Sequence, residues 1–147
     1  MKTKSEKLPT LFLLIYAVLM LISYSAYLFL ENTRLSQSQK WLSEGILTKD
    51  DVNSISQTGR WTTISESAFL IIFVIVFIFV MYQFQKKPLK HFFIFNAALF
   101  IGVTLISYVV SLASSMPIGN SVQPVIIPAF LLVALCIYTL WKTRNGK

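Results

Sequence analysis

Four stretches of this 147-residue chain, residues 11–30, 68–84, 92–112 and 122–141, contain no Asp, Glu, Lys or Arg. They are 20, 17, 21 and 20 residues long. At ~1.5 Å per helical residue they reach roughly 25–32 Å, close to the ~30 Å hydrocarbon core of a bilayer. Inside that core there is no water to take backbone hydrogen bonds, so segments of this kind cross as α-helices. Hiding four such helices in a soluble domain would need a charged shell. Only 13% of the residues are charged, against about 25% in an ordinary soluble domain. The predicted fold class is an all-α integral membrane protein. It has four transmembrane helices in a single domain over residues 1–147 and a small extracytoplasmic helical cap between the first two.

Charge then sets the predicted orientation. The N-terminal tail, the turn Gln85–His91 and the C-terminal tail carry Lys2, Lys4, Lys7, Lys86, Lys87, Lys90, Lys142, Arg144 and Lys147. The other side carries Arg34, Lys40, Lys49 and Arg60. Nine against four follows the positive-inside rule, which places both termini and the basic turn in the cytoplasm. Five of the six acids, Glu31, Glu44, Asp50, Asp51 and Glu66, fall outside. The net charge of +7 is thereby accounted for by topology, and no nucleic-acid partner is needed. Lys86, Lys87, Lys90, Lys142 and Arg144 are candidate contacts to anionic lipid headgroups, at about 1 kcal/mol each.

In chain order, residues 1–10 are basic and end in Pro9, and the run from Leu11 begins the first span. Ser23-Tyr24-Ser25 offers small residues at signal-peptidase spacing, yet the apolar stretch continues through Leu30 to full spanning length, so an uncleaved helix is expected. Residues 31–66 are the one sizeable polar region. Ser36 and Gln39 have capping-box spacing with Gly45 as a stop. Thr48 precedes Asp50 and Asp51 as a second N-cap, with Gly59 as its stop. Two such short helices would lean on the bilayer or on the tops of the spans, since isolated helices under ~12–15 residues are marginal in water. Trp41, Trp61, Glu66 and Trp141 are the candidate interfacial residues.

The second span is almost wholly apolar and reads as a broadly lipid-facing helix, whereas the third carries a polar and small-residue stripe. Asn96, Ala98, Gly102, Thr104, Ser107, Tyr108 and Ser111 are its candidate packing residues, with Tyr16, Ser23 and Tyr27 of the first span as partners. Pro124 can open the fourth span, while Pro128 should kink or delay it. Catalysis or ion coupling inside a membrane normally needs Asp, Glu, His or Arg within the spans. None lies there: Glu31, Glu66 and His91 stand at span borders. Cys136 is the single cysteine and His91 the single histidine, so no intramolecular disulfide, redox pair or ordinary zinc set can form, and no cofactor is expected.

Trp61 with Glu66, then Phe84-Gln85-Lys86-Lys87-Pro88, then Tyr138 with Lys142 and Arg144 resemble in layout the small bacterial membrane proteins grouped as domain of unknown function 2569. The family's Gly-Gly-Trp-Leu opening and its late Trp-x-Pro-Tyr are absent here, and Lys142 stands where the family has Ser. The resemblance covers about residues 8–144 and implies four helices in a bacterial inner membrane with no known activity. The residues lead to a non-enzymatic accessory or interaction subunit whose partners are the lipid bilayer and another membrane protein or a second copy. An oligomeric small-solute channel lined by the third-span stripe is the alternative. An interfacial enzyme using Glu31 and Glu66 comes third.

Overall fold

The computed structural model describes residues 10–45, 48–83, 86–114 and 117–145; within its helices the side chains of residues 44, 83, 86–88, 139–140 and 142–145 are not described. Among the described residues there are four helices: α1 (Thr10–Glu44), α2 (Lys49–Gln83), α3 (Lys86–Ala113) and α4 (Ile118–Asn145). All four are long and apolar enough to cross a membrane. The protein is a multi-pass helical bundle with α1–α2 and α3–α4 as antiparallel hairpins.

The predicted loop over 31–66 with two separate short helices is not what forms. α1 and α2 are each 35 residues long, about 50 Å, and run on past the apolar stretches as one helical hairpin. Propagating an existing helix adds one hydrogen bond per residue fixed, whereas a fresh start must nucleate. Ser36, expected as an N-cap, is therefore interior to α1, and Gly59, expected as a stop, is interior to α2. Gly45 does stop α1: at φ +69° it donates its N–H to the Trp41 carbonyl at 3.0 Å, the single bond of an αL cap.

Thr48 caps α2 as its spacing predicts. Its hydroxyl and N–H donate to Asp51 Oδ2 at 2.5 and 3.0 Å, and the Asp51 N–H returns a bond to Thr48 Oγ1 at 3.3 Å. The Thr48 hydroxyl, then its backbone N–H, hold the Asp51 carboxyl below its ordinary range. That contribution is present at neutral pH and fades as pH falls through the lowered value.

Antiparallel register sets the hairpin interior. Phe12 meets Phe79 at a ring separation of 5.4 Å, Tyr24 meets Phe69 at 6.2 Å, and the Arg34 stem lies over Gly59. α2 turns a broad face outward, as its composition suggests, and is the least buried of the four spans. Phe69, Phe73 and Val80 are fully buried, while Ile71, Ile75 and Ile78 point outward at i, i+4, i+7. Phe73 joins the hairpins, its ring 5.7 Å from Phe100 and 6.5 Å from Phe92. Phe69 and Phe73 fill the seam between helices together with Val80, and the isoleucines face outward.

α4 begins six residues ahead of Pro124, so both Pro124 and Pro128 are interior to it. The Pro117 carbonyl starts the helix by accepting from the N–H groups of Asn120 (3.0 Å) and Ser121 (3.3 Å). An interior proline removes one i→i−4 bond and presses on the carbonyl four residues back. For Pro124 that carbonyl belongs to Asn120.

The two hairpin glycines should respond in opposite senses. A methyl group at position 59 would meet only the Arg34 Cδ at 3.8 Å, ordinary contact. Gly59→Ala should therefore stabilise by about 0.5–1 kcal/mol. Gly45→Ala should destabilise by about 1 kcal/mol, because a Cβ is disfavoured in the left-handed region. Unfolding of each variant in detergent against the parent checks both signs.

Candidate functional site

Polar side chains in the bundle interior lie along one face of α1. Tyr16, Met20, Tyr24, Tyr27 and Glu31 follow one another at i, i+4, i+8, i+11 and i+15, and each is at most 2% exposed. Among the described residues none of the three phenol hydroxyls is hydrogen-bonded to the hairpin partner α2; all three bond across to α3 or α4. Tyr16 donates to Asn96 Oδ1 of α3 at 2.6 Å, and Asn96 Nδ2 donates to the Phe92 carbonyl at 2.9 Å. The Tyr24 hydroxyl pairs with the Ser107 hydroxyl of α3 and donates to the Ser121 carbonyl of α4 at 3.1 Å. Tyr27 donates to the Asn120 carbonyl of α4 at 2.6 Å.

That last bond answers the proline. Pro124 has no N–H to offer Asn120, and a buried carbonyl left alone in an apolar medium costs roughly 1–3 kcal/mol. Tyr27 supplies the missing donor from another helix. Two more bonds fix the same end of α4. Asn120 Nδ2 donates to Glu31 Oε1 at 2.7 Å, and Gln123 Nε2 donates to the Glu66 carboxylate at 3.0 Å. Arg34 completes the group with a 2.6 Å ion pair to Glu31 Oε1, and that bond raises its guanidinium further above its ordinary value. α4 has no acid in its own first turn; α1 and α2 bring carboxylates to its positive N-terminal end.

The residues singled out in the sequence are divided by this geometry. Asn96 and Ser107 are eleven positions apart, about 20° on a helical wheel, and both are fully buried in the seam. Ala98 and Gly102 lie about 200° and 240° around from Asn96, on the far side of α3. A Cβ on Gly102 would meet no described atom within 4 Å. Thr104 and Tyr108 are exposed, and Thr104 donates to its own helix at the Phe100 carbonyl, 2.8 Å away. Ser111 is half-buried. The seven residues therefore do not share one face.

Tyr16 and Tyr27 do reach the other hairpin, but Tyr27 reaches α4 rather than α3, and half-buried Ser23 has no bond among those described. Trp41 is buried within the hairpin tip, eleven residues beyond Leu30, while Trp61 and Trp141 are exposed. Lys90 is exposed; the side chains of Lys86, Lys87, Lys142 and Arg144 lie outside the described residues.

Tyr24, Asn120, Ser121 and Gln123 were not singled out from sequence. Tyr24 was legible from its spacing to Tyr16 and Tyr27. Asn120 was legible as the residue four before a proline. Among the described residues no group of three or more His, Cys, Asp or Glu could hold a metal ion. What the arrangement does chemically is pair buried dipoles across two hairpins. The chain is thus a four-helix, multi-pass membrane protein with a polar seam between its two hairpins. Comparison with protein-family models, with curated proteins and with solved structures finds no match for it.

The Pro124 reading makes a test. Tyr27→Phe should destabilise by about 1–2 kcal/mol, at the upper end for a hydrogen bond inside a membrane. In a Pro124→Ala background residue 124 regains an N–H for the Asn120 carbonyl, and the cost of Tyr27→Phe should fall to a few tenths. A double-mutant cycle in detergent or bicelles reads the coupling.

Proposed function

We propose that the chain is a non-enzymatic accessory or interaction subunit of a bacterial inner membrane, acting through helix–helix contact with a second copy or with another membrane protein. Both ends face the cytoplasm in this reading, because the basic excess lies with the termini and the 86–90 segment. The helical hairpin then stands outside as the extracytoplasmic part. The carrying observation is the division of α3. Its buried polar groups, Asn96 and Ser107, are paired within the chain, and its small residues, Ala98 and Gly102, are turned to the opposite side. Small residues four apart on an outward face admit close approach of another helix, and such approach is what associates helices in lipid.

The test uses the open space at Gly102. Since no described atom lies within 4 Å of a Cβ there, Gly102→Leu should leave the monomer's stability within ~0.5 kcal/mol of the parent. It should reduce cross-linking in cell membranes, through photo-reactive groups placed at position 98, by tenfold or more. A parent chain that is strictly monomeric in mild detergent and captures no partner in cells would overturn the proposal.

A further inference from the structure

α3 and α4 do not close against each other along their whole length. Between them lies an apolar groove of about 280 Å³, lined by Phe100, Ile101, Thr104 and Leu105 of α3 and by Val125 and Ala129 of α4. Phe100 and Val125 are buried and make its floor, while Ile101 and Leu105 stand exposed at its rim. Thr104 and Ala129 are the small residues of the set, and a larger side chain at either place would fill the space. The Thr104 hydroxyl is bonded to its own helix at the Phe100 carbonyl, so it asks nothing of a guest. A space this apolar lacks the polar partners that hold an ordered water. In a bilayer it takes hydrocarbon.

That hydrocarbon is supplied by a lipid chain or by another helix, and charge decides between them. Lys90, Ala97, Ile101 and Thr104 lie within about 60° of one another around α3, on the face next to the one that Ala98 and Gly102 occupy. Lys90 is exposed at the end of the apolar run, about 16 Å along the axis from Ile101 and about 21 Å from Thr104. Half of a ~30 Å hydrocarbon core is about 15 Å. A phospholipid whose headgroup meets Lys90 therefore ends its acyl chain at the level of the groove. Ala97, small and exposed, leaves the path between them open. A docked helix would need an acid of its own opposite Lys90, whereas an anionic headgroup brings that charge at the right depth.

We infer that the α3–α4 groove and Lys90 form a site for one anionic phospholipid, its phosphate against the Lys90 ammonium and one acyl chain running past Ala97 into the groove. The long lysine stem lets the ammonium reach the headgroup layer while its methylenes stay against the helix. One lysine near the surface gives about a fivefold preference over a zwitterionic lipid with the same chains. The groove adds burial of the chain, which is the same for either headgroup.

Photo-labelling of the full chain in phosphatidylcholine nanodiscs tests this. The probe is a minor lipid, either phosphatidylglycerol or phosphatidylcholine, with a diazirine at the end of an acyl chain, and its attachment is mapped by peptide. The readout is labelling of 100–105 and 125–129 divided by labelling of 71–78, the outward isoleucine face of α2. That ratio should be about fivefold higher for phosphatidylglycerol. Lys90→Gln should bring the two lipids together, whereas Arg60→Gln, which removes an exposed cation at the other end of the bundle, should leave the preference in place. Thr104→Phe should lower the ratio for both lipids by filling the groove. If that variant does not fold, Ala97→Phe, at an exposed position on the path, decides instead. Equal ratios in the parent, a preference that survives Lys90→Gln or is lost in Arg60→Gln, or groove labelling unchanged by the filling substitution overturns the assignment. So does phosphatidylglycerol labelling no higher in the groove than on α2, the result expected where a second helix covers it.

Discussion

The bundle depends on one constraint: a polar group removed from water must find a partner, and in a membrane the partner must come from the protein. Apolar packing does not orient helices strongly there, because lipid tails are as apolar as the side chains. What distinguishes one arrangement of α1–α2 against α3–α4 from another is therefore whether Tyr16, Tyr24 and Tyr27 meet Asn96, Ser107, Ser121 and Asn120. Any rotation of α1 by a third of a turn would strand three phenols and the Asn120 carbonyl at once. Each bond contributes modestly, ~0.6 kcal/mol on average for such pairs in a bilayer. Their value lies in the penalty that alternatives would carry.

Proline makes the constraint directional. Pro124 destroys a backbone bond inside α4, and Tyr27 repairs it from α1 at 2.6 Å. A helix whose own ladder is broken cannot satisfy itself, so it must dock. The defect thus converts a local weakness into a contact between hairpins, and it explains why α4 can begin at Ile118 rather than waiting for its prolines. The same end of α4 has its positive dipole met by Glu31 and Glu66, contributed by the helices it docks against. Acids that look like span-border punctuation in one dimension are interhelical fasteners in three.

The fold was legible where the physics is one-dimensional. Charge-free length marks each span, and the Thr48–Asp51 spacing marks the start of α2, because both effects act within a few residues. The extended hairpin was not legible. Ser36 and Gly59 carry local signals for a start and a stop, but helix already anchored in α1 and α2 propagates through them. The seam was half legible. Asn96, Ser107, Tyr16 and Tyr27 stand out as polar residues in apolar runs. Which face each one takes depends on phase, and Ala98, Thr104 and Tyr108, grouped with Asn96 by composition, are separated from it by 100° per residue. Phe69 and Phe73 were hidden for the opposite reason: in a helix apolar on every side, periodicity says nothing about which side is buried.

That ambiguity on α2 has its own resolution in shape rather than polarity. Inward positions of the span hold Phe69, Phe73 and Phe77, whose rings lie within 7 Å of partners on α1 or α3 or of each other, and outward positions hold isoleucine. In a medium where both kinds of side chain are equally soluble, burial cannot be decided by transfer free energy. It is decided by which residues pack with direction, and aromatic rings favour offset and tilted contacts worth about 0.5–1.5 kcal/mol beyond area. The apolar helix and the polar-striped helix therefore follow one rule. In each, the buried side chains that tie the hairpins together, Phe69 and Phe73 on α2 and Asn96 and Ser107 on α3, are ones whose interactions depend on orientation.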